Sequence, residues 1–459
     1  MKRRYARIIA ITLICCLAPQ ALASCAAPKP QGTDGAAAGE NAASPDASGK
    51  SADGEKGDAA GETGGMGDKG ETGYVLDIGE WEAIDAYAER CYDDLIYNWW
   101  VNDSKGGHIL HTWTGIDVRE VPGGNPGGGI WERGMLYFAL DSYYRATGDE
   151  RALEKMRLES EHFRNIYTER EMASAGSSLH WACDDCGWHA WFYMKMYRYF
   201  GDLYYLDRAK ALINNAVSLW LDDELGGGMW YDSEKTGKSL YTVAIVMASL
   251  DIYEHDGDES FYNLAVDLYD WMEMALKRDD GIYWMDLGAD GRAFGWNRPD
   301  DIKEAGSVTG LGGNMAMAAI HARMYRLTGM DVFRLRALET MDGVKAKLVQ
   351  NGRYINDRDA WTNTTFLMEW VMEVATLPGF DREHLQILLN TAMSVAENSR
   401  TDGGLYSGVW GGPPDDPDNL WIIKGLGLSK QIMTTCTTAN LIMCAALYKN
   451  RYFNSVIGA

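Results

Sequence analysis

The sequence predicts an all-α domain built from helical hairpins, and three observations support that prediction. Apolar residues recur at helical spacing in long windows. Glycines that can end a helix recur along the chain, each with an aspartate close behind. Several of the apolar windows also lack a charged face, which is typical of helices buried on all sides. Runs typical of β-strands are few, short and bounded by glycine.

Six apolar windows define the predicted buried helices. Because several have no charged outer face, we expect them to form an inner layer. In chain order they are Met135–Arg145, Trp191–Phe200, Thr242–Tyr253, Met315–Tyr325, Leu367–Val374 and Thr438–Tyr448.

An internal repeat marks the turns between helices. In each copy an aromatic helix end meets a glycine, and an aspartate follows within two residues. Glycine can adopt the left-handed conformation that ends a helix, and aspartate can cap the next one, so each copy predicts a helical hairpin. The copies are Tyr143–Asp149, Met196–Asp202, Ile252–Asp258 and Met324–Asp331. Their glycines are 53, 56 and 72 positions apart, so we expect long loops at one end of the hairpins.

The N-terminal region is predicted to be a targeting and tethering segment. Residues 1–24 combine a basic start with a short apolar stretch, as in a signal peptide. The sequence Leu22-Ala23-Ser24-Cys25 resembles a bacterial lipobox and predicts lipidation of Cys25; an ordinary signal peptide is the alternative. Residues 25–73 are rich in Gly, Ala, Ser, Asp and Glu and predict a flexible linker to one folded domain, 74–459.

Charge and composition limit the partners that the domain can have. The chain has 43 Lys and Arg against 66 Asp and Glu, a net charge of −23, which argues against nucleic acid and anionic membrane surfaces. We therefore expect membrane contact only through the lipid anchor, on the outer side of a bacterial membrane or at the cell surface. The domain is expected to be a monomer.

Four loops place aromatic residues beside glycines. Exposed aromatic rings suit sugar faces, so these loops favour a carbohydrate cleft with a polysaccharide or oligosaccharide as the partner. The alternative is that the rings fill space between helices. The loops are Gly127–Trp131, Gly226–Trp230, Gly281–Trp284 and Gly403–Trp410.

Asp184 and Asp185 are the candidate catalytic residues. They lie in the aromatic and apolar segment Leu179–Phe192, where ionising two acids is costly unless the site uses them. Adjacent carboxyl groups can reach the ~5–5.5 Å separation of a retaining glycosidase. The neighbouring charge and the nearby Trp181 and Trp188 are expected to raise the pKa of Asp185, as a general acid requires. The alternative is a helix N-cap with an acidic neighbour.

The same segment carries four potential metal ligands at steps of three residues: His180, Cys183, Cys186 and His189. Each such step on a helix turns back by about 60°, so the two histidines would face opposite ways and zinc is disfavoured. A disulfide between the cysteines stays open at this point. We predict no metal and no cofactor.

Over nearly all of Tyr74–Tyr448 the sequence resembles glycoside hydrolase family 76, which contains bacterial and fungal endo-α-1,6-mannanases. The resemblance rests on Asp184-Asp185 followed by Trp188, on Trp131-Glu132, on the Gly226–Trp230 loop, on Asp270-Trp271 and on the Gly408–Pro413 loop. It implies an (α/α)6 toroid, with Asp184 as the nucleophile and Asp185 as the acid/base. The predicted substrate-binding residues are Trp131, Glu132, Trp181, Trp188, Trp230, Lys238 and Trp410.

Three segments depart from the family pattern. Lys238-Ser239 replaces Lys-Asn, Val308–Asn314 lacks Tyr-Asn-Gln-Gly, and Trp361–Thr365 stands where Phe-Lys-Gly is usual. The predicted function is a retaining glycoside hydrolase acting on α-mannan-like polysaccharide. The alternatives are another (α/α)6 sugar enzyme, of the unsaturated uronyl hydrolase or epimerase type, and a non-catalytic surface lipoprotein that binds glycans.

Overall fold

The computed structural model describes residues 78–102, 107–109, 130–166, 182–294, 310–354, 367–408, 410–412 and 432–450. The predicted signal peptide (1–24), the lipidation residue Cys25 and the predicted linker (25–73) lie outside the described residues.

Within those ranges the chain forms twelve α-helices, and none of them is long and apolar enough to cross a bilayer. The first six are α1 (Ile78–Trp99), α2 (Ile130–Thr147), α3 (Glu150–Ile166), α4 (Cys183–Phe200), α5 (Leu203–Trp220) and α6 (Val243–Asp256). The others are α7 (Glu259–Ala275), α8 (Leu311–Thr328), α9 (Asp331–Lys347), α10 (Leu367–Ala375), α11 (Glu383–Asn398) and α12 (Ile432–Tyr448).

The even-numbered helices form a closed inner ring. Helices α2, α4, α6, α8, α10 and α12 contact one another in that order, and α12 contacts α2. The odd-numbered helices pack outside the ring. The six predicted apolar windows all overlap these inner helices; in α6, for example, residues 243–252 are all buried. Burial of each large aliphatic side chain contributes ~1.5–3 kcal/mol, which explains why unbroken apolar windows form the inner layer. The predicted (α/α)6 toroid is confirmed.

The repeated glycines end helices as predicted. Each has a left-handed backbone, with φ values of 73°, 66°, 73° and 69° at Gly148, Gly201, Gly257 and Gly329. Asp202 then caps α5 by accepting a hydrogen bond from the backbone N–H of Tyr204. Asp258 caps α7 in the same way, through the N–H of Ser260. The glycine and the aspartate together therefore encode these turns.

The fourth copy of the repeat differs. The extra residue Met330 takes the N-cap position of α9, and its side chain makes no capping hydrogen bond. Asp331 lies in the first turn of α9, where it pairs with Arg334 at 2.6 Å. The prediction that this aspartate caps the helix is wrong, because the inserted residue shifts it one position into the helix.

Three small antiparallel sheets accompany the described helices. One of them, with the order β3-β4-β5, places Ser239 of β3 opposite Asp286 of β4. The strands are β1 (Trp100–Val101), β2 (His108–Ile109), β3 (Gly237–Ser239), β4 (Asp286–Gly288), β5 (Ala293–Phe294), β6 (Val349–Gln350) and β7 (Arg353–Tyr354).

Aromatic residues of three glycine-rich loops are buried. The exposed fractions of Trp230, Tyr283, Tyr406 and Trp410 are 2%, 0%, 0% and 6%. The Tyr283 hydroxyl lies 3.0 Å from Nε2 of His321 on α8. The Tyr406 hydroxyl donates to Asp94 on α1 at 2.8 Å. These four rings fill space and tie loops to helices, which fits the second interpretation for them rather than exposed sugar platforms. Residues 127–129 of the remaining loop lie outside the described residues.

Candidate active site

Asp184 and Asp185 lie in the first turn of α4 and are 6% and 9% exposed. The N-cap of the helix is Ala182, whose backbone is extended and whose side chain makes no capping hydrogen bond. The alternative that the acid pair caps the helix is therefore wrong, because both residues follow the cap. The positive end of the helix dipole favours negative charge at these positions.

The start of α4 is hydrogen-bonded to the hairpin in which Trp230 pairs with Lys238 of β3. The backbone N–H of Cys183 donates to the carbonyl of Tyr231 at 2.9 Å. Ala182 and Asp232 form an isolated antiparallel bridge beside it. These bonds satisfy a helix N-terminal N–H that has no partner within the helix. They also fix the first turn of α4 relative to Tyr231.

Gly187 sets the distance between α4 and α6 just beyond the acid pair. A Cβ at this position would lie 2.6 Å from the carbonyl carbon of Ala244 on α6. Real Cβ contacts are not this short, so the two inner helices can approach this closely only because residue 187 is glycine. The acid pair therefore projects from a tightly packed part of the ring.

Trp188 orients the first carboxylate. Its indole N–H donates to Oδ2 of Asp184 at 3.3 Å, one helical turn along α4. The ring is 2% exposed and stacks on Trp370 of α10, with centroids 6.2 Å apart and an interplanar angle of 30°. Because the indole is held by packing, its donor direction is fixed before any substrate binds.

Tyr231 and Asp286 extend the site beyond the acid pair. The pKa of the Tyr231 hydroxyl is raised, chiefly by the negative charge of Asp184 and then by burial. Burial raises the pKa of the half-buried Asp286 to about 7, and the charge of Asp184 adds to the rise while the Ser239 hydrogen bond opposes it. The charge of Asp184 therefore acts on both side chains.

The sequence model of glycosyl hydrolase family 76 matches residues 100–446. This range includes the acid pair, the ten helices α2 to α11 and all but the last two residues of α12. The chain belongs to glycosyl hydrolase family 76. It is therefore a glycoside hydrolase. A comparison with curated proteins found no match.

Several solved structures share the fold at low sequence identity. The α-1,6-mannanase of Salegentibacter sp. HEL1_6 superposes with a TM-score of 0.61 at 20% identity, covering 79% of this chain and 99% of that one. The family 76 α-mannanase of Bacteroides thetaiotaomicron gives 0.60 at 14% identity, with coverages of 82% and 97%. Dfg5 of Chaetomium thermophilum, in complex with glucosamine, gives 0.62 at 13% identity, with coverages of 81% and 92%.

The predicted substrate-binding tryptophans of this family 76 chain are buried where they are described. Trp188, Trp230 and Trp410 are 2%, 2% and 6% exposed. The described polar contact of Trp188 is with Asp184, and the indole N–H of Trp230 donates to Asp222 at 2.6 Å. The three rings are therefore packed inside the protein and are not exposed to a ligand.

The side chains of three other predicted binding residues lie outside the described part of the chain. Trp131 and Glu132 belong to the start of α2, and their side chains lie outside the described part of the chain. Trp181 immediately precedes the described segment that begins at Ala182 and also lies outside it. The substrate-binding roles of these three residues stay predictions.

Lys238 does not reach toward a ligand. It is fully buried, and its ammonium donates to Oδ1 of Asp222 at 2.7 Å. It also donates to the carbonyls of Glu224 and Gly227, at 2.6 and 2.7 Å. An ammonium has three N–H donors, and protein oxygens occupy them. The prediction that Lys238 binds substrate is therefore not supported by its geometry.

Cys183 and Cys186 are both buried thiols, and no disulfide joins them in this structure. Burial raises the pKa of Cys186 to about 12 and that of Cys183 well above its ordinary value.

His180, the first residue of the considered zinc set, lies outside the described residues. Among the residues that are described, no group of three or more His, Cys, Asp or Glu side chains could hold a metal ion.

Tyr231, Ser239 and Asp286 are the site residues that sequence reasoning missed. Asp286 follows the third glycine-rich loop but lies 102 positions after Asp184. It comes to the acid pair only through the pairing of β3 with β4. Tyr231 had a local signal, since it directly follows the Gly226–Trp230 loop, whereas nothing near Asp286 in the chain indicates the pairing.

Proposed function

We propose that this family 76 protein is a retaining glycoside hydrolase that cleaves α-mannan-like polysaccharide with Asp184 and Asp185. The observation that supports this best is the position of the pair, adjacent and almost buried in the first turn of α4. The hydrogen bond from Trp188 holds the Asp184 carboxylate in a fixed orientation, as a nucleophile requires.

In the proposed mechanism, Asp184 attacks the anomeric carbon and forms a glycosyl ester while the bond to the leaving oxygen breaks. Asp185 gives its proton to that oxygen in the same step. The ionised Asp185 then removes a proton from water, and the resulting hydroxide attacks the ester. This second step releases the sugar with its original anomeric configuration and restores Asp184 as carboxylate and Asp185 as acid.

The family 76 structures support the choice of substrate. The Salegentibacter enzyme is an α-1,6-mannanase. An inactive variant of it, with two consecutive aspartates replaced by alanine, is in complex with α-1,6-mannotetrose. Asp184-Asp185 is a pair of the same kind in the same fold. We therefore propose an α-1,6-linked mannan as the first substrate to test.

We also propose an extracytoplasmic location for the enzyme. The basic start, the short apolar segment and the lipobox-like Leu22-Ala23-Ser24-Cys25 support export and lipidation of Cys25. A polar linker of residues 25–73 would then hold the domain away from the membrane. This arrangement suits an enzyme whose substrate is a polysaccharide outside the cell.

The decisive experiment measures new reducing ends from α-1,6-mannan and from a panel of other α- and β-linked polysaccharides. We expect cleavage of the α-1,6-mannan, and proton NMR during the first turnovers should show the α-anomer. The variant Asp184→Asn should lose turnover on all substrates by several orders of magnitude while still binding mannan. The same change at the exposed Asp93 is the matched control and should leave turnover unchanged.

Two results would contradict the proposal. Release of the β-anomer first would show inversion, which requires a more distant pair of carboxyls. Binding of mannan without cleavage of any polysaccharide would favour the non-catalytic glycan-binding alternative.

A further inference from the structure

The loop Asp222–Gly228 has a strained backbone. Leu225 has a left-handed φ of 55°, which costs a non-glycine residue free energy. Gly228 also has a positive φ, and a Cβ there would lie 2.3 Å from the Trp271 ring of α7. The loop therefore packs tightly against Trp271, and contacts with surrounding residues must stabilise its strained conformation.

The ammonium of Lys238 makes more of these contacts than any other described side chain, and the indole N–H of Trp271 adds one to the carbonyl of Leu225 at 3.2 Å. Besides Asp222, Glu224 and Gly227, the carbonyl of Gly228 lies 3.2 Å from the ammonium. All these oxygens belong to one seven-residue loop. The cation also lies over the Trp230 ring, 4.9 Å from its centroid. A buried ammonium surrounded by acceptors from one segment holds that segment in a single conformation.

The strand that carries Lys238 leads directly to the acid pair. Trp230 and Lys238 form a bridge, and the N–H of Tyr231 donates to the carbonyl of Gly237 at 2.8 Å. The carbonyl of Tyr231 in turn accepts the N–H of Cys183, the first residue of α4. On the other side, the next residue of the strand, Ser239, faces Asp286.

We propose that Lys238 is a positioning residue: by clamping the Asp222–Gly228 loop, it fixes the hairpin that aligns Tyr231 and Asp286 with Asp184. The expected effect on kcat rests on the proposed function, whereas the clamping of the loop by Lys238 does not. It replaces the sequence-based role of Lys238 as a substrate contact.

The first test compares Lys238→Met with Lys235→Met. Lys235 bonds the same Asp222 and Glu224, at 2.8 and 2.6 Å, but its side chain is 47% exposed. It therefore serves as a matched control. We expect Lys238→Met to lower kcat on α-1,6-mannan by about 10²-fold, because small misplacements of catalytic groups have effects of that size. KM should change little, and Lys235→Met should retain the wild-type kcat.

A rise of KM with unchanged kcat in Lys238→Met would overturn the inference and restore the substrate-binding role. An unchanged kcat and KM would overturn it as well. Lys238→Met leaves several buried acceptors without their donor, so it can fail to fold. In that case Asp222→Asn, which keeps the loop's shape and removes the charged partner, should lower kcat by about tenfold, and a wild-type kcat in it would overturn the inference.

A second measurement does not depend on turnover. With 3-fluorotyrosine at position 231, the ¹⁹F resonance should shift when Asp184 is replaced by Asn, because Asp184 is the main charge acting on that hydroxyl. In the Lys238→Met background, or in Asp222→Asn if the former does not fold, this response should be lost or strongly reduced. A full response there would overturn the clamp. If the wild type cleaves no polysaccharide but the response behaves as expected, the proposed function fails and the clamp stands.

Discussion

Asp184 and Trp188 form a hydrogen-bonded pair along one face of α4, with the indole N–H 3.3 Å from the carboxylate. The two residues are one turn apart, so the helix itself fixes their relative position. The Trp188 ring also stacks on Trp370 of α10. Asp184 is therefore oriented by a donor that is locked between two inner helices.

Replacing Trp188 with Phe should lower kcat by ~10–10²-fold, because it removes the N–H that orients Asp184 and keeps an aromatic ring in place. The matched control is Trp191→Phe, which removes a similar volume from the same stack of rings, 6.3 Å from Trp188. Steady-state kinetics on α-1,6-mannan should separate the two variants. Equal losses in both would show that packing alone matters.

The acid/base role of Asp185 can be separated from the nucleophilic role of Asp184. In Asp185→Asn, poor leaving groups should suffer most, because they need protonation to depart. An activated aryl α-mannoside should still form the glycosyl-enzyme, and added azide should restore the second step. Burst kinetics with and without azide provide the measurement. Azide rescue seen instead in Asp184→Asn would reverse the two assignments.

The fold could be predicted because its determinants are local in the sequence. Each inner helix is buried on nearly all sides, so its window is apolar throughout, as in α6. Each predicted turn needs one glycine in a left-handed conformation, which Gly201 provides. The Asp331 cap was wrong because a single inserted residue, Met330, moves the cap without changing the composition of the turn.

The candidate site was only partly predictable, for the opposite reason. The acid pair stood out because two carboxyls in an apolar segment are unusual. Asp286, 102 positions after Asp184, joins them through the pairing of β3 with β4, which no local pattern records. Lys238 and Trp230 had the right residue types for sugar binding, but only the structure shows that their polar groups are already occupied. Residue type indicates a possible contact, whereas burial and partners decide between ligand and protein.

The left-handed turn at Gly201 can be tested with one alanine. Gly201→Ala should lower the unfolding free energy by ~1–2 kcal/mol, because a Cβ disfavours the backbone angle of 66°. No atom lies within 4 Å of that Cβ, so the effect is free of steric contact. Gly134→Ala in α2 is the matched control and should be neutral or stabilising, since its Cβ meets Phe192 only at 3.9 Å. Urea unfolding of both variants measures the difference; equal stabilities would contradict the role of Gly201.

The proposed lipid on Cys25 can be tested by separating membranes from the soluble fraction of cells. Cys25→Ala should release the protein from membranes, because the lipid would be the main attachment of a chain with a net charge of −23. The released protein should keep the wild-type turnover, since the predicted linker separates Cys25 from the domain. A variant that stays entirely in the membrane fraction would contradict lipidation of Cys25. Ser24→Thr, next to the cysteine, is the control and should stay membrane-bound.

The raised pKa of Asp286 predicts how stability depends on pH. Its pKa is about 7 in the folded protein against an ordinary value of 3.8. Between about pH 4 and pH 7 the folded state therefore keeps a proton that the unfolded state has lost. Because the folded state binds more protons in this window, its stability should fall as pH rises through it and then level off above pH 7.

Asp286→Asn removes this contribution, so its unfolding free energy should fall less between pH 4 and pH 7 than that of the wild type. The control is Asp290→Asn in the turn between β4 and β5. The pKa of Asp290 is lowered by its hydrogen bonds to Arg292, so this variant should keep the wild-type decline between pH 4 and pH 7. Urea unfolding at half-unit pH steps measures all three proteins. Parallel curves for Asp286→Asn and the wild type would show that the pKa of Asp286 is not raised. They would also contradict an effect of the Asp184 charge on Asp286.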